Sequence, residues 1–368
     1  MKTGNIVVIG GANLEYIITG DTEIIPGAKN SVTMEELYGG SGLNYTLRLL
    51  ATGEAVYPVL FVGHDYAGYR IQSAVTASLG VDDIKIRRFI EESTFLISGV
   101  DTPKSTIIVE GSRRTILSHD KNEKNLFRTF VCDRLKQTES VSSVIIGHIH
   151  NDKPAITKSE EDLSTLFAIR YFQNKNTLIY ANFGASQLDH GFSFWKPFLP
   201  LIDILQLNIY EIKTFFHEET HTYPTLQSIV EKLQQLQISA IITLDKFGAI
   251  GILKNHYDTL FLARPVELGD KFVDSTGAGD AFCAGMVSTL NGKKALSPND
   301  FKEAMEIARS WAVYACMSYG GANRCPSAET IETFHREIVR ENEVLRYEGD
   351  RIKDIYALID VTMELHEI

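Results

Sequence analysis

The sequence predicts an α/β protein with a mostly parallel sheet, on three observations. Short apolar segments of strand length alternate with longer helical segments along most of the chain. The first apolar segment, Asn5–Gly11, is rich in β-branched residues and ends in two glycines, as expected for a strand buried on both faces. Polar residues directly follow several of the predicted strands, which is where open α/β sheets bind their ligands.

Composition and charge disfavour several classes of protein. Of the 368 residues, 44% are hydrophobic and 23% are charged, which is ordinary for a globular protein with a sizeable core. The 47 acidic residues outnumber the 36 basic ones, and the net charge of −11 disfavours nucleic acid or a membrane as a partner. No apolar run approaches the ~20 residues of a membrane span, and the four cysteines form no C-x-x-C pair. We therefore expect a cytoplasmic protein.

Polar residues after the first strand form the first candidate site. Asn13 and Glu15 have a spacing of two, which places both side chains on one side of the chain at the end of a strand. Further along, Gly39 and Gly40 allow the backbone to approach a ligand, and Asn44 can both donate and accept hydrogen bonds to hydroxyl groups. The alternative for Asn13 and Glu15 is an exposed pair on an edge strand.

The middle of the chain continues the alternation of short elements. We expect a helix at 43–50, a strand at 56–62, a helix at 65–79, and short alternating strands at 95–100, 106–110 and 114–118. Four further strands are expected at 143–146, 178–181, 204–207 and 240–244.

Polar pairs follow two of these later strands. Asn208 and Glu211 lie three residues apart on the first turn of a helix and share one face, which suits a hydrated Mg²⁺ and a triphosphate. The alternative is that Asn208 is simply a helix N-cap, which is common. His148 and His150 form a His-x-His pair, but no third metal ligand stands at a recognisable spacing.

Residues 217–221 fit the H-E-x-x-H pattern of zinc peptidases. In that interpretation two histidines bind Zn²⁺ and Glu218 activates a water molecule. We disfavour it because the segment runs into Pro224, which ends a helix almost at once. An exposed connection is the preferred interpretation.

The most informative stretch is residues 274–287, a glycine-containing loop that opens a helix of small and apolar residues. Gly277 and Gly279 lack a Cβ, so the backbone can turn its N–H groups towards one point at the positive end of the helix dipole. Asp280 adds a carboxylate beside this anion site. A base next to a bound phosphoryl group indicates phosphoryl transfer, whereas the alternative is a structural glycine turn before a core helix.

Two stretches resemble the signatures of the ribokinase-like carbohydrate kinases, the PfkB family. Residues 274–287 are similar to the C-terminal signature position for position, and residues 39–46, followed by Gly53 and Gly63, are similar to the N-terminal signature. The resemblance covers about residues 5–326. It implies a three-layer α/β/α ribokinase-like fold with a mostly parallel central sheet and a small β-sheet lid.

The resemblance also implies the domain organisation. Residues 1–326 are expected to form the kinase domain, with lid strands from about 14–38 and 93–118, and such a lid excludes water during phosphoryl transfer. The exposed face of the lid is expected to form a homodimer contact. Residues 327–368 lie beyond the resemblance, and their helical spacing predicts a helical C-terminal extension.

The resemblance implies an ATP-dependent phosphotransferase acting on a hydroxyl of a small sugar. Asp280 corresponds to the general base, and the backbone of Gly277, Ala278 and Gly279 corresponds to the anion hole. The implied substrate-binding residues are Asn13, Glu15, Gly39, Gly40, Ser41 and Asn44, and the implied nucleotide-binding residues are Asn182, Asn208, Thr243, Asp245, Gly248 and Ala322. Glu211 is expected to bind Mg²⁺ through water, and Asp274 to bind a monovalent cation such as K⁺.

Three positions depart from the family pattern. Glu15 stands where the family has Asp, Ser41 where many members have Lys, and Asp245 where the family has Gly. A carboxylate at Asp245 would repel a triphosphate unless it points away or meets Mg²⁺. Two alternatives therefore stay open, a nucleoside kinase of the adenosine-kinase type and a ligand-binding pseudokinase without efficient turnover.

Overall fold

The computed structural model describes residues 4–20, 25, 27–80, 84–92, 95–110, 113–119, 126–220, 224–339 and 343–364. The strands are β1 Asn5–Gly11, β2 Asn13–Thr19, β3 Thr33–Gly39, β4 Val56–Phe61, β5 Lys104–Glu110, β6 Arg113–His119, β7 Val141–Ile146, β8 Leu178–Asn182, β9 Ile204–Asn208, β10 Ser239–Thr243, β11 Ala249–Ile252, β12 Thr259–Ala263 and β13 Leu345–Glu348. The helices are α1 Ser41–Ala51, α2 Tyr66–Ala77, α3 Ile84–Glu91, α4 Leu126–Leu135, α5 Ser164–Phe172, α6 Ala185–Leu188, α7 Phe192–Trp195, α8 Ile209–Thr220, α9 Leu226–Leu236, α10 Ala278–Leu290, α11 Pro298–Ala315, α12 Ala328–Phe334 and α13 Arg351–Glu364.

The main sheet has the strand order β13-β12-β11-β10-β9-β8-β7-β1-β4. The strands from β4 to β10 in this order pair in parallel, and β11, β12 and β13 add antiparallel pairs at one edge. Helices cover both faces, with α1, α10 and α11 in one layer and α4, α5, α8 and α9 in the other. Since both faces are covered, strands such as β1 are apolar at every position from Ile6 to Ile9. The predicted α/β fold with a mostly parallel sheet is confirmed.

Helix α10 packs against α1 and α11 because its inward residues are small. At Gly285 a Cβ atom would lie 2.7 Å from the Cα of Ala308 on α11, so only glycine allows this approach. Residues 41–50 of α1 are all buried in the same layer. The close packing brings the first turn of α10 next to α1, and this contact forms the centre of the candidate site.

A second sheet has four strands among the described residues, in the order β3-β2-β5-β6, with β2 and β5 parallel and the outer pairs antiparallel. It corresponds to the predicted lid sheet. The strand predicted at 95–100 is absent from it, because that segment turns back and makes an isolated parallel bridge from Ile97 to Gly63. The alternating apolar residues there, including Phe95 and Ile97, are instead buried in the main core.

The segment after residue 326 contains α12, then a short π-helical turn at His335–Val339, then β13 and α13. β13 pairs with β12 and so extends the main sheet, and α13 packs on α9. A buried ion pair of 3.1 Å joins Lys213 on α8 to Asp360 on α13. The strand was not anticipated from the sequence, because its alternation of apolar and polar residues extends over only four positions.

Candidate active site

The glycine loop opens α10 as the sequence predicts. Gly277 is the N-cap residue and has a φ of 76°, in the left-handed region that favours glycine. A Cβ atom at Gly277 would also lie 2.6 Å from the Cα of Gly321, in the loop that follows α11. Two backbones therefore touch at this point, and Asp280 lies in the first turn of the helix that starts there.

Backbone N–H groups are available at this helix start. The N–H of Ala278 donates to the carbonyl of Ser275 at 3.1 Å and closes a turn. Within the part of the chain that the structure describes, the N–H groups of Gly277 and Gly279 donate to no backbone carbonyl outside their helix. Together with the helix dipole, two such N–H groups form a site for an anion.

Asp280 is held by α1. The Nδ2 amide of Asn44 donates a 2.6 Å hydrogen bond to Oδ2 of Asp280. On the other side of the turn, Nε2 of Gln206 donates to the carbonyl of Gly279 at 2.9 Å, and the Tyr180 hydroxyl donates to Oε1 of Gln206 at 2.6 Å. The carboxylate of Asp280 is thus positioned by groups from α1 and from two strands of the main sheet.

Asn13 and Glu15 lie together on β2 of the lid sheet. Nδ2 of Asn13 donates to Oε1 of Glu15 at 3.2 Å and to Oγ of Ser105 at 3.1 Å. A Cβ at Gly39 would lie 2.1 Å from Oε1 of Glu15, so glycine leaves room for that carboxylate. Burial raises the pKa of Glu15, while the hydrogen bond from Asn13 lowers it and the charge of Asp280 raises it.

Three oxygen atoms in this region are buried and have no hydrogen-bond partner among the described residues. They are Oδ1 of Asn13, Oε2 of Glu15 and Oδ1 of Asn44. Buried acceptors without partners are costly in a folded protein, so ordered water or a ligand is needed to supply the donors. A molecule with several hydroxyl groups fits this requirement.

Ser41 and Asn182, two further predicted site residues, contact the protein itself. Oγ of Ser41 accepts a hydrogen bond from the N–H of His148 at 3.0 Å. Nδ2 of Asn182 donates to the hydroxyl of Tyr45 at 3.0 Å. Tyr45 is fully buried, and burial raises the pKa of its hydroxyl well above the usual value. Both side chains thereby join α1 to the ends of the neighbouring strands.

Asn208 and Glu211 form a reciprocal cap at the start of α8. The N–H of Glu211 donates to Oδ1 of Asn208, and the N–H of Asn208 donates to Oε2 of Glu211, both at 2.8 Å. Burial raises the pKa of Glu211, with His148 opposing this shift and Asp280 adding to it. The charges of Glu211 and Asp280 are therefore close enough to interact. The N-cap interpretation of Asn208 is correct, and Glu211 is the partner that completes this cap.

Asp274 joins two loops. Its Oδ1 accepts the N–H of Thr276 at 2.8 Å, and its Oδ2 accepts the N–H of Gly320 at 3.2 Å. The side chain is 3% exposed. The carboxylate therefore ties the glycine loop before α10 to the loop after α11.

The remaining predicted residues lie around the exit of β10. Thr243 ends that strand, and Asp245 follows it as an exposed residue with a φ of 53°. Asp tolerates this left-handed conformation better than most residues, although glycine adopts it most readily. Gly248 has a φ of 98°, and a Cβ there would meet the carbonyl oxygen of Ala263 at 2.0 Å. Ala322 is buried in the loop after α11.

The two metal patterns gain no support. Among the described residues no group of three or more His, Cys, Asp and Glu side chains is placed to hold a metal ion. His148 and His150 are therefore not completed by a third ligand of these types. His221 of the H-E-x-x-H segment lies outside the described residues, as does the side chain of Glu218.

Sequence reasoning missed Arg48, Tyr45 and Gln206. Arg48 follows Asn44 by four residues, so the two share a helix face, and a lone charge on the apolar side of a helix was a usable signal. Tyr45 gave none, because a buried aromatic residue is ordinary. Gln206 sits within an apolar strand, and its role depends on α10, which lies more than 70 residues further along the chain.

Comparisons with known proteins agree with this geometry. A family model described as "pfkB family carbohydrate kinase" matches residues 3–328. An uncharacterized sugar kinase of Dictyostelium discoideum is 32% identical over 89 residues, which are 24% of this chain and 24% of that protein. The chain thus matches about a quarter of the length of this curated relative. No described helix is long and apolar enough to cross a bilayer.

Solved structures resemble the whole chain. The ribokinase of Thermotoga maritima is 18% identical, with 91% of this chain and 100% of that chain covered and a TM-score of 0.67. A nucleoside kinase of Burkholderia thailandensis in complex with inosine is 13% identical, with 94% and 100% covered and a TM-score of 0.64. The ribokinase of Arabidopsis thaliana in complex with ribose and ATP is 16% identical, with 91% and 99% covered and a TM-score of 0.63.

At such identities these structures establish the fold, and the fold is ribokinase-like. The family model adds that the sequence pattern of the family extends over residues 3–328. The predicted resemblance is confirmed on both grounds. The chain belongs to the pfkB family of carbohydrate kinases.

Proposed function

We propose that this protein uses ATP to phosphorylate a hydroxyl group of a small sugar. The observation that carries the proposal is the 2.6 Å hydrogen bond by which Asn44 holds Asp280 beside the N–H groups of Gly277 and Gly279. A base and an anion site within one helical turn are what phosphoryl transfer to a hydroxyl requires.

In this proposal Asp280 accepts the proton of the substrate hydroxyl as its oxygen attacks the terminal phosphoryl group of ATP. The N–H groups of Gly277 and Gly279 donate to the phosphoryl oxygens, where negative charge develops. Asn44 orients the carboxylate, and its own Oδ1 remains able to accept a hydrogen bond from the substrate. The ADP oxygen leaves with the electrons of the broken P–O bond.

Mg²⁺ fits the donors at the end of β9. The charge of Glu211 interacts with that of Asp280, and Mg²⁺ prefers oxygen donors such as carboxylates while keeping several waters and binding substrate phosphates. When bound, the ion would neutralise the negative charge of the triphosphate. Glu211, already oriented by its cap with Asn208, would hold the ion through water.

The three unpartnered acceptors on Asn13, Glu15 and Asn44 suit a ligand with adjacent hydroxyl groups, which both a free sugar and the ribose of a nucleoside carry. We prefer the sugar because the matching family model is that of carbohydrate kinases. Solved relatives support both classes, since one structure contains ribose and ATP and another contains inosine. The nucleoside kinase is the second candidate.

We also propose that the protein works in the cytosol as a homodimer through the outer face of the lid sheet. Ile18 pairs with Met34 and Ile108 in neighbouring strands, and Tyr16 and Leu117 lie together in the next row of the same face. Met34 is 63% exposed and Leu117 54% exposed, an apolar surface on an isolated chain. A second copy would cover it. Light scattering should find a dimer, and Met34→Glu should convert it to a monomer.

The experiment that tests the function measures ADP release with Mg²⁺-ATP across a panel of pentoses, ketoses and nucleosides. We expect one sugar to be turned over fastest, with Asp280→Asn as the inactive control. Turnover of nucleosides alone would select the second candidate. No turnover, together with a rise in melting temperature with one ligand, would instead indicate a pseudokinase that senses that ligand.

A further inference from the structure

Arg48, on helix α1, carries a buried positive charge. The residue is 1% exposed, and its Nη2 donates a 2.5 Å hydrogen bond to the carbonyl of Gly321. Nε and Nη1 are buried and have no hydrogen-bond partner among the described residues. An unpaired charge is expensive to bury, so a protein keeps one only where something compensates it.

The position of Arg48 suggests what compensates it. One helical turn before Arg48, the side chain of Asn44 holds Asp280. The carbonyl of Gly321 accepts the hydrogen bond from Arg48, and the Cα of Gly321 packs against Gly277. The guanidinium therefore stands directly behind the glycine loop, on the protein side of the anion site. Burial lowers the pKa of Arg48, whereas Cys325 and Asp280 act in the opposite direction.

The same loop is where a monovalent cation is implied at Asp274. That donor set does not fit a further cation well, because both carboxylate oxygens accept backbone N–H groups, from Thr276 and Gly320. The carbonyl of Gly321, the residue after Gly320, already accepts the hydrogen bond from Arg48. A free cation here would add a like charge to a buried guanidinium in a medium of low dielectric constant.

We propose that Arg48 is a built-in cation of the phosphate-binding loop and that it takes the place of a monovalent metal ion. It is a positioning residue, which holds Gly321 against Gly277 and adds a fixed positive charge behind the anion. The inference rests on the proposed function for the identity of the anion, a phosphate group of ATP. Binding of that anion supplies the missing negative charge.

The test compares wild type, Arg48→Met and Arg48→Lys in buffers that contain only K⁺, only Na⁺ or only tetramethylammonium. We expect kcat/KM of the wild type to change by less than about twofold among the cations, and Arg48→Met to lose at least about tenfold. Arg48→Lys should recover part of the loss. Activation of the wild type by K⁺ of more than about fivefold would overturn the proposal.

A second readout separates this role from a purely structural one. Removing an unpaired buried charge should leave the melting temperature of the ligand-free Arg48→Met protein unchanged or higher, while its stabilisation by ADP shrinks. A lower melting temperature with normal stabilisation by ADP would also refute the proposal. The matched control is Arg134→Met, which removes a buried arginine on α4 that bonds to Gln137. It should reduce stability and leave ADP binding intact.

The ADP measurement also distinguishes the inference from the proposed function. If no acceptor is turned over, yet ADP stabilises the wild type equally in all three cations and Arg48→Met weakens this effect, then the built-in cation stands and the sugar kinase fails. If turnover is robust and depends on K⁺, the kinase stands and the built-in cation fails.

Discussion

The two ends of the candidate site are built differently. The proposed acceptor end consists of two hydrogen-bonded pairs, Asn13 with Glu15 and Asn44 with Asp280, and Glu15 and Asn44 are only 8% and 4% exposed. The proposed nucleotide end consists of Thr243, Asp245, Gly248 and Ala322. There Asp245 is exposed, and the geometry is set by backbone conformations such as the positive φ of Asp245 and Gly248.

This difference determines how each end can act. At the acceptor end, low exposure strengthens hydrogen bonds and charges, so a single atom can change the chemistry. At the nucleotide end, solvent screens a charge such as that of Asp245, so the same kind of change has a smaller effect. The departure from the family pattern at Asp245 is therefore compatible with an active kinase.

The largest effect is expected for Asp280→Asn at the acceptor end. Loss of the proposed general base should lower kcat by about 10²–10⁴-fold. The melting temperature should stay near that of the wild type, since Asn can still accept the hydrogen bond from Asn44. Steady-state ADP release and thermal unfolding measure the two quantities. Nearly full activity of this variant would show that another group is the base.

Asn44→Leu should have the next largest effect. A hydrogen bond to a charged group contributes about 1.5–3 kcal/mol, so losing the donor that orients Asp280 should lower kcat about ten- to hundredfold. Thr46→Val is the matched control, because it removes a buried hydrogen bond of α1 to the Gly42 carbonyl without facing Asp280. Equal losses in the two variants would mean that α1 is disturbed generally rather than at Asp280.

The pH dependence of stability in the Glu15→Gln variant tests the burial of the acceptor end. Because burial raises the pKa of Glu15 above its ordinary value of 4.5, its stabilising contribution is present below that pH and is lost as pH rises through the raised pKa. The variant should therefore gain stability over the wild type as pH increases from about 4.5, and show no gain at lower pH. Thermal unfolding across this range measures the difference. Glu35→Gln, at an exposed position on β3, should show no such trend.

The smallest effect is expected at the nucleotide end. Asp245→Asn removes the charge and keeps a residue that tolerates positive φ, and it should lower KM for ATP about two- to fivefold at low salt. Asp245→Gly, which also relaxes the backbone, separates conformation from charge. Asp258→Asn, in the turn between β11 and β12, is the control. An effect that survives high salt, or one larger than that of Asn44→Leu, would reverse the ranking of the two ends.

Much of the fold was predictable because its signals are local. Buried parallel strands are apolar throughout. The helix ends are marked by residues typical of caps, Asp65 before α2, Gly277 before α10 and Asn291 after α10. The prediction of a strand at 95–100 was wrong, because apolar residues in a segment indicate that it is buried but not that it pairs with a neighbouring strand. β13 was missed because its alternating pattern is only four residues long and lies between segments with helical spacing.

The sequence by itself indicated the class of chemistry that we propose, since Gly277, Gly279 and Asp280 lie within four consecutive residues and their arrangement is local. Only the tertiary structure brought Asn44 to Asp280 across 236 residues, Gln206 to Gly279, and Arg48 to the carbonyl of Gly321. These contacts depend on how closely α1, α10 and the main sheet pack. A pattern along one chain segment carries no information about which distant segment will face it, so the residues that orient the base appear only in three dimensions.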